Sequence, residues 1–230
     1  MDFVRDFLYF DQALVAIDGA HVPIAVSAED TERFRNRKGW ISNNVLIASD
    51  WQLNVAYIYP GAEGAAHDSM VLARSELLQL TGHGMYVLAD AGYALHPKVL
   101  TPFRGVRYHL KEFAEGFERP RMAKELFNWR HAKARNAVER LNGCLKRRFK
   151  ILRVPIECEF TAAKAVIFAC VCLHNFIRRE ASSDLAEDMD EDKDDDTVSA
   201  TSETLSFDFN TGSQTQCGQS TRSMWEVASW

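Results

Sequence analysis

ALVAID, residues 13–18, and MYVLAD, residues 85–90, decide how this sequence folds. Each is a short run of apolar and β-branched residues closed by an aspartate. Both are too short for a typical helix and read as buried strands. Asp18 and Asp90 then stand at strand ends, with Gly19 and Gly92 close behind, where glycine lets backbone turn tightly beside a carboxylate. Ligands of open α/β sheets gather at the carboxyl ends of strands. Two such aspartates on neighbouring strands would share one site.

The flanking sequence extends this pattern. After Asp18 the residues GAH suggest a turn, and VPIAV (22–26) a second extended stretch. ISNNVLIAS (41–49) and LNVAYIYP (53–60) are separated by Asp50-Trp51-Gln52, which predicts a hairpin. GAEGAAHDS (61–69) reads as a Gly/Ala-rich loop, and SMVLARSELLQL (69–80) as one helix carrying Met70, Leu72, Leu77, Leu78 and Leu80. RGVRYHL (104–110) is a further candidate strand. From about Arg121 the period changes: Ala134, Val138, Leu141 and Leu145 recur at helical steps. A second helix, from about Thr161 to Arg178, is apolar nearly all round and is expected to be buried. Strands first and helices later, with a helix before the fourth strand, predict a single α/β domain.

Charge is distributed unevenly along the chain. Its 230 residues carry a formal net charge of −5. Residues 181–230 hold 12 acids and 2 bases, which leaves 20 acids and 25 bases before them. Within residues 119–153 there are 12 bases against 2 acids. A basic segment of this density suits a polyanionic partner. The boundaries that follow are a lead over 1–12, a domain over 13–180 and an acidic tail over 181–230 whose composition predicts disorder. The acidic N-terminus lacks a signal peptide's basic start and no run reads as a membrane span, so an intracellular chain with no membrane partner is expected. Cys144, Cys158, Cys170, Cys172 and Cys217 form no framework spacing and read as reduced residues. Cys170, Cys172 and His174 lie in an apolar run where i and i+2 point apart, which favours core over zinc.

Three acids carry the candidate chemistry. Asp18 and Asp90 end strands, and Glu139 lies mid-helix in RNAVERLNG within a polar stripe of Arg135, Asn142 and Lys146. Hard cations such as Mg²⁺ or Mn²⁺ take carboxylate oxygens and draw further ligands from substrate phosphates. Two such ions about 3.5–4 Å apart can stabilise both the attacking and the leaving oxygen of a phosphodiester. Each acid also has an ordinary explanation: a turn-former for either aspartate, a surface pair with Arg135 for Glu139, and a helix cap for Asp68. His21 and His67 lie near the acids by motif and could serve either structure or proton transfer.

Six blocks resolve the choice: AIDGAHVPI (16–24), FRNRKGWISNNVLIASD (34–50), YIYPGAEGAAHDSMVL (57–72), YVLADAGYALHPKVLTPFRG (86–105), FNWRHAKARNAVERLNGCLKRRFKIL (127–152) and CVCLHNFI (170–177). In this order they resemble the Harbinger-type DDE transposases and their domesticated descendants in animals and plants, from about Ala13 to Arg179. The resemblance implies an RNase H-like fold, a mixed sheet flanked by helices. It implies that Asp18, Asp90 and Glu139 bind divalent metal and are catalytic, with Asp68 a further metal ligand. Two positions depart from the family pattern: Ala91 stands where a serine is usual, and Met70 where an arginine is usual. Neither change removes a carboxylate. The family usually carries a longer N-terminal region with a helix-turn-helix-like element, so a fragment, a degenerate element or a domesticated protein is expected here.

The functional expectation is a DNA endonuclease or strand-transferase domain in which water or a DNA 3′-hydroxyl attacks phosphorus in line. Arg135, Arg140, Lys146, Arg147, Arg148 and Lys150 would neutralise phosphates, with Arg33, Arg35, Arg37 and Lys38 adding to that surface. The resemblance implies nuclear localisation and a Myb-like partner protein for DNA recognition. Two rivals share the fold: a catalytically inactive DNA- or protein-binding module, and an RNA-cleaving RNase H-like enzyme.

Overall fold

The protein is seen in a computed structural model that describes residues 9–107, 120 and 122–180. Residues 1–8 of the lead, Tyr108–Leu110 of the candidate strand at 104–110, Cys217 and the whole acidic tail lie outside the described residues.

Among the described residues, five strands make one mixed sheet in the order β3-β2-β1-β4-β5. β1 (Ala13–Pro23), β2 (Ser42–Ser49) and β3 (Val55–Glu63) form an antiparallel meander, and β4 (Tyr86–Leu88) and β5 (Val99–Leu100) add in parallel beyond β1. Helices α1 (Thr31–Phe34), α2 (Asp68–Arg74), α3 (Leu77–Leu80), α4 (Ala123–Arg148) and α5 (Phe160–Glu180) complete an α/β arrangement compatible with an RNase H-like fold.

Alternation in β1 divides the core. Val15 and Ile17 join Leu46, Ala48, Val87 and Ala89 in a cluster with Val71, Leu72 and Leu77 of α2 and α3. Ala20 and Val22 line the opposite face with Val45 and Ile47, beside Asn142, Leu145 and Lys146 of α4 and Ile167 and Val171 of α5. On α4, Ala134, Val138, Leu141 and Leu145 are all buried at the expected helical spacing. That helix is anchored at β5: His131 contacts the Leu100 carbonyl through Nε2 at 3.0 Å, and Asn128 Oδ1 accepts from the Phe103 amide at 2.8 Å.

Several expectations are corrected. Residues 12–26 are not two segments around a turn, because β1 runs unbroken through Asp18 and Gly19. The helix expected over 69–80 breaks at Glu76, whose φ is 60°. Ser75 terminates the first piece by donating from Oγ to the Leu72 carbonyl at 2.8 Å, and its own carbonyl accepts from the Tyr57 hydroxyl. The loop expected from Gly61 begins later, since β3 continues to Glu63. Arg104–Arg107 form no strand. The basic run does not continue α4 to Lys150: the helix stops at Arg148, and Lys150 opens a 3₁₀ turn.

Helix α5 is only half covered. Ala163, Ile167, Cys170, Val171, His174 and Arg178 face inward, while Phe168, Leu173 and Phe176 are about half exposed. It is long and apolar enough, by length and composition alone, to cross a membrane, contrary to the sequence expectation. Its polar residues nevertheless tie it to the sheet: Asn175 exchanges hydrogen bonds with Val55 at 2.9 Å each, and His174 Nε2 meets the Leu53 carbonyl at 3.0 Å. His174 Nδ1 meets Arg148, so this histidine is fully engaged in structure. Cys144 and Cys170 are buried thiols, whereas Cys158 and Cys172 are exposed.

Candidate metal and nucleic-acid site

The site forms where β1 outruns its parallel neighbour. Ala16 pairs with Leu88, the last residue of β4, and β1 then continues seven residues to Pro23 against β2 alone. Asp18 stands two residues on in β1 and Asp90 two residues past the end of β4, so both aspartates lie beside this opening. Asp18 lies inside β1 rather than at its end. Asp90 follows β4 in a tight turn in which its Oδ1 accepts from the Gly92 amide at 2.8 Å, the turn-forming role already open to it.

Gly19 does not turn the chain; it makes room. A Cβ placed on it would sit 2.3 Å from Asp68 Oδ1, so the bare backbone lets that carboxylate rest against β1. Asp68 is the first residue of α2, and the N-cap is His67, with no side-chain cap bond. The capping explanation for Asp68 is therefore set aside. Its Oδ1 instead accepts from Asn44 Nδ2 at 2.9 Å. Ser69 then couples this segment to the Asp90 loop, accepting from the Ala94 amide at 3.0 Å. Arg104 holds the same loop through the carbonyls of Ala91 and Tyr93, at 3.0 and 3.3 Å.

Glu139 enters from α4. Arg135, one turn earlier, donates from Nη2 to Glu139 Oε1, and its Nη1 lies 3.5 Å from Asp18 Oδ1. The surface pair foreseen for Glu139 thus exists, but it reaches inward to the first acid. Asn142 donates to Asp18 Oδ2 at 3.3 Å. Burial pushes the Asp18 carboxyl up to about 6; Arg135 opposes the rise, while Asp90, Glu139 and Asp68 add to it. Tyr93, 1 % exposed, has its hydroxyl held well above its ordinary range by burial and by the same aspartates.

Three acids from three other segments, Asp90, Glu139 and Asp68, therefore bear on the Asp18 carboxyl at this opening. Among the described residues, no three or more acids, cysteines or histidines converge tightly enough to enclose one ion. The donor set nevertheless fits a hard cation held by one or two carboxylates, with the rest of its shell open. Asn44 Oδ1, Asn142 Oδ1 and the Tyr93 hydroxyl are buried beside these acids and have no hydrogen-bond partner among the described residues. All are oxygen donors. Sequence reasoning did not foresee Asn44 and Tyr93. The signal available was a buried polar start to an apolar strand, Ser42-Asn43-Asn44, and the tyrosine two residues beyond Ala91.

The basic residues are sorted by the fold. Lys146 stands on the Asp18 side of α4, where burial and Lys38 lower its pKa and Asp18 raises it. Arg37 contacts His67 Nδ1, beside Asp68. His21 meets the Ser42 hydroxyl at 2.9 Å, and burial lowers its pKa. Arg147 and Lys150 are exposed, and Arg140 is half-buried. Arg148 turns inward to His174, Arg147 Nη2 reaches Cys144 Sγ at 3.3 Å, and Arg135 is buried among the acids rather than displayed on the surface. Arg33 pairs with Asp30 and Glu63, and Arg35 with Glu32, so these two arginines are committed to local acids.

A mixed sheet with acids on its first strand, after its fourth and on the following long helix defines the class of DDE nuclease-type domains. Residues 17–175 match the DDE superfamily endonuclease family, and the chain belongs to it. It is 29 % identical over 168 residues to "Putative nuclease HARBI1" of Rattus norvegicus, an alignment covering 70 % of this chain and 44 % of that protein. The human protein of the same name is 27 % identical over 167 residues, covering 69 % and 44 %. "Protein ALP1-like" of Arabidopsis thaliana is 24 % identical over 186 residues, covering 70 % and 42 %. These relatives agree with the Harbinger-type resemblance carried by the six motif blocks. The chain spans less than half the length of each. No solved structure matches the chain significantly.

Proposed function

We propose that this domain is a divalent-metal-dependent DNA endonuclease or strand-transferase of Harbinger type. One observation supports the reading: Asp90, Glu139 and Asp68, from three other segments, all bear electrostatically on the Asp18 carboxyl beside the opening where β1 outruns β4. Asp18, Asp90 and Glu139 are the catalytic set, and Asp68 a further ligand. A bound Mg²⁺ or Mn²⁺ would supply charge stabilisation to the attacking and leaving oxygens of a phosphodiester.

The chain's own residues provide the frame. Asn44 and Asn142 orient Asp68 and Asp18 through their amide hydrogens. Tyr93 keeps its proton at neutral pH and is a donor at the site. Lys146, Arg147, Lys150 and Arg140, with Arg37 and Lys38, offer positive charge to phosphates on one side of the acids. The substrate is DNA, the location the nucleus and the DNA-reading partner a Myb-like protein; all three rest on the resemblance and on the basic segment.

A second reading has an observation of its own. Arg135 already lies between Asp18 and Glu139, as it would in a binding module that keeps the fold without catalysis. Nicking of supercoiled plasmid with and without Mg²⁺ separates the two. Cutting that requires metal and vanishes in Asp18→Asn and Glu139→Gln supports the nuclease. Salt-sensitive binding with no cutting supports the module, and cutting that survives both substitutions rejects the catalytic set.

A further inference from the structure

Arg135 occupies a place that a cation-binding site would leave open. Its side chain is 9 % exposed, and its two terminal nitrogens serve different carboxylates on different elements, Asp18 of β1 and Glu139 of α4. Its backbone is held in place by buried Ala134, Val138 and Leu141 and by His131 in the preceding turn, so any movement is left to the side chain. Asp18 is partly buried and stands near three other acids, an arrangement that calls for positive charge. The guanidinium supplies it.

We propose that Arg135 is the resident counter-ion of this acid site and that the divalent cation binds by displacing its guanidinium. This rests on the reading that a cation binds at Asp18 and Glu139. Arg135 keeps the acids assembled while the cation is away and sets an upper limit on cation affinity, because the two positive groups compete for the same oxygens. A group that draws the guanidinium away strengthens cation binding, and the cation strengthens the binding of that group by the same factor. A DNA phosphate is such a group, and a bidentate acceptor for this fork. Arg135 is thus a positioning residue that links substrate binding to cation binding.

The test is calorimetric titration of the full chain with Mg²⁺ alone, without DNA, comparing wild type, Arg135→Gln, Arg135→Lys and Asp18→Asn, with the melting temperature of each measured with and without Mg²⁺. Arg135→Gln should bind Mg²⁺ at least about fivefold more tightly than wild type, the lower end of ordinary coupling between two sites. Its melting temperature should fall without Mg²⁺ and rise more than that of wild type when Mg²⁺ is added. Arg135→Lys, whose single ammonium lacks the two-nitrogen fork that reaches each carboxylate separately, should gain about twofold, and it decides the matter alone if the glutamine variant does not fold. Unchanged or weaker Mg²⁺ binding in a folded Arg135 variant overturns the proposal. Mg²⁺ binding that is equal in wild type and Asp18→Asn overturns instead the reading of the metal site on which it rests.

Discussion

The guanidinium of Arg135 spans Asp18 and Glu139, with Nη1 3.5 Å from Asp18 Oδ1 and Nη2 donating to Glu139 Oε1. One side chain thereby ties the first strand to the long helix at the point where each presents an acid. The electrostatics of the pair also explain why a partly buried carboxylate persists inside β1: it has a cation in reach and an amide, from Asn142, on its other oxygen.

Gly19→Ala should disable the site without unfolding the domain. The new Cβ would lie 2.3 Å from Asp68 Oδ1, so the carboxylate must leave its place against β1. Metal-dependent nicking should fall by at least tenfold while the far-ultraviolet circular dichroism stays unchanged. Unaltered cutting would show that Asp68 has no part in the chemistry.

Asp18→Asn should stabilise the protein near neutral pH. The folded carboxyl is raised to about 6 from 3.8, so it contributes stability below pH 3.8 that is lost as pH rises through about 6. Above that, the buried charge costs on the order of 1–2 kcal/mol, after allowance for its partial exposure and its pairing with Arg135. Urea unfolding at pH 7.5 without metal should show the variant ahead of wild type, and the gap should close at pH 4. A destabilised variant at both pH values would contradict this.

His131 should make the fold acid-sensitive. It is fully buried, contacts the Leu100 carbonyl at 3.0 Å, and burial pushes its pKa down to about 4. The unfolded chain takes up a proton there below about 6.5 and the folded chain does not, so stability is lost as pH falls from 6.5 towards 4. The full shift corresponds to about 3 kcal/mol. His131→Gln should show a shallower loss over that window; parallel pH curves for the two proteins would exclude His131 as the cause.

Duplex-DNA affinity should depend on salt through the basic end of α4 and the turn that follows it. Arg147→Ala and Lys150→Ala should each reduce the slope of log affinity against log salt by about 0.9 if each neutralises one phosphate. An unchanged slope would place the DNA elsewhere.

The sheet and the long helix were legible because their patterns are local. Short apolar runs rich in β-formers mark β1 to β4, and the spacing of Ala134, Val138, Leu141 and Leu145 marks α4. What was misread depends on contacts distant in sequence. Gly19 looked like a turn residue because nothing near it reveals the Asp68 carboxylate packed over its Cα. Asp68 looked like a cap because its partner, Asn44, lies far off in sequence on β2. The break at Glu76 is set by Ser75 and Tyr57, which meet only in the folded chain. Composition made α5 look buried all round, because apolar content does not say which face the sheet covers. Asp18, Asp90 and Glu139 were found from position and motif, whereas the arginine among them was taken for a surface charge.

Metal-directed backbone cleavage would show whether these acids share a cation. With Fe²⁺ substituted for Mg²⁺ and ascorbate added, cuts should cluster at three or four distant places, near Asp18, Asp68, Asp90 and Glu139, all suppressed by excess Mg²⁺ and by Asp18→Asn. Cuts scattered over the acidic tail alone, or unchanged in Asp18→Asn, would contradict a shared metal site.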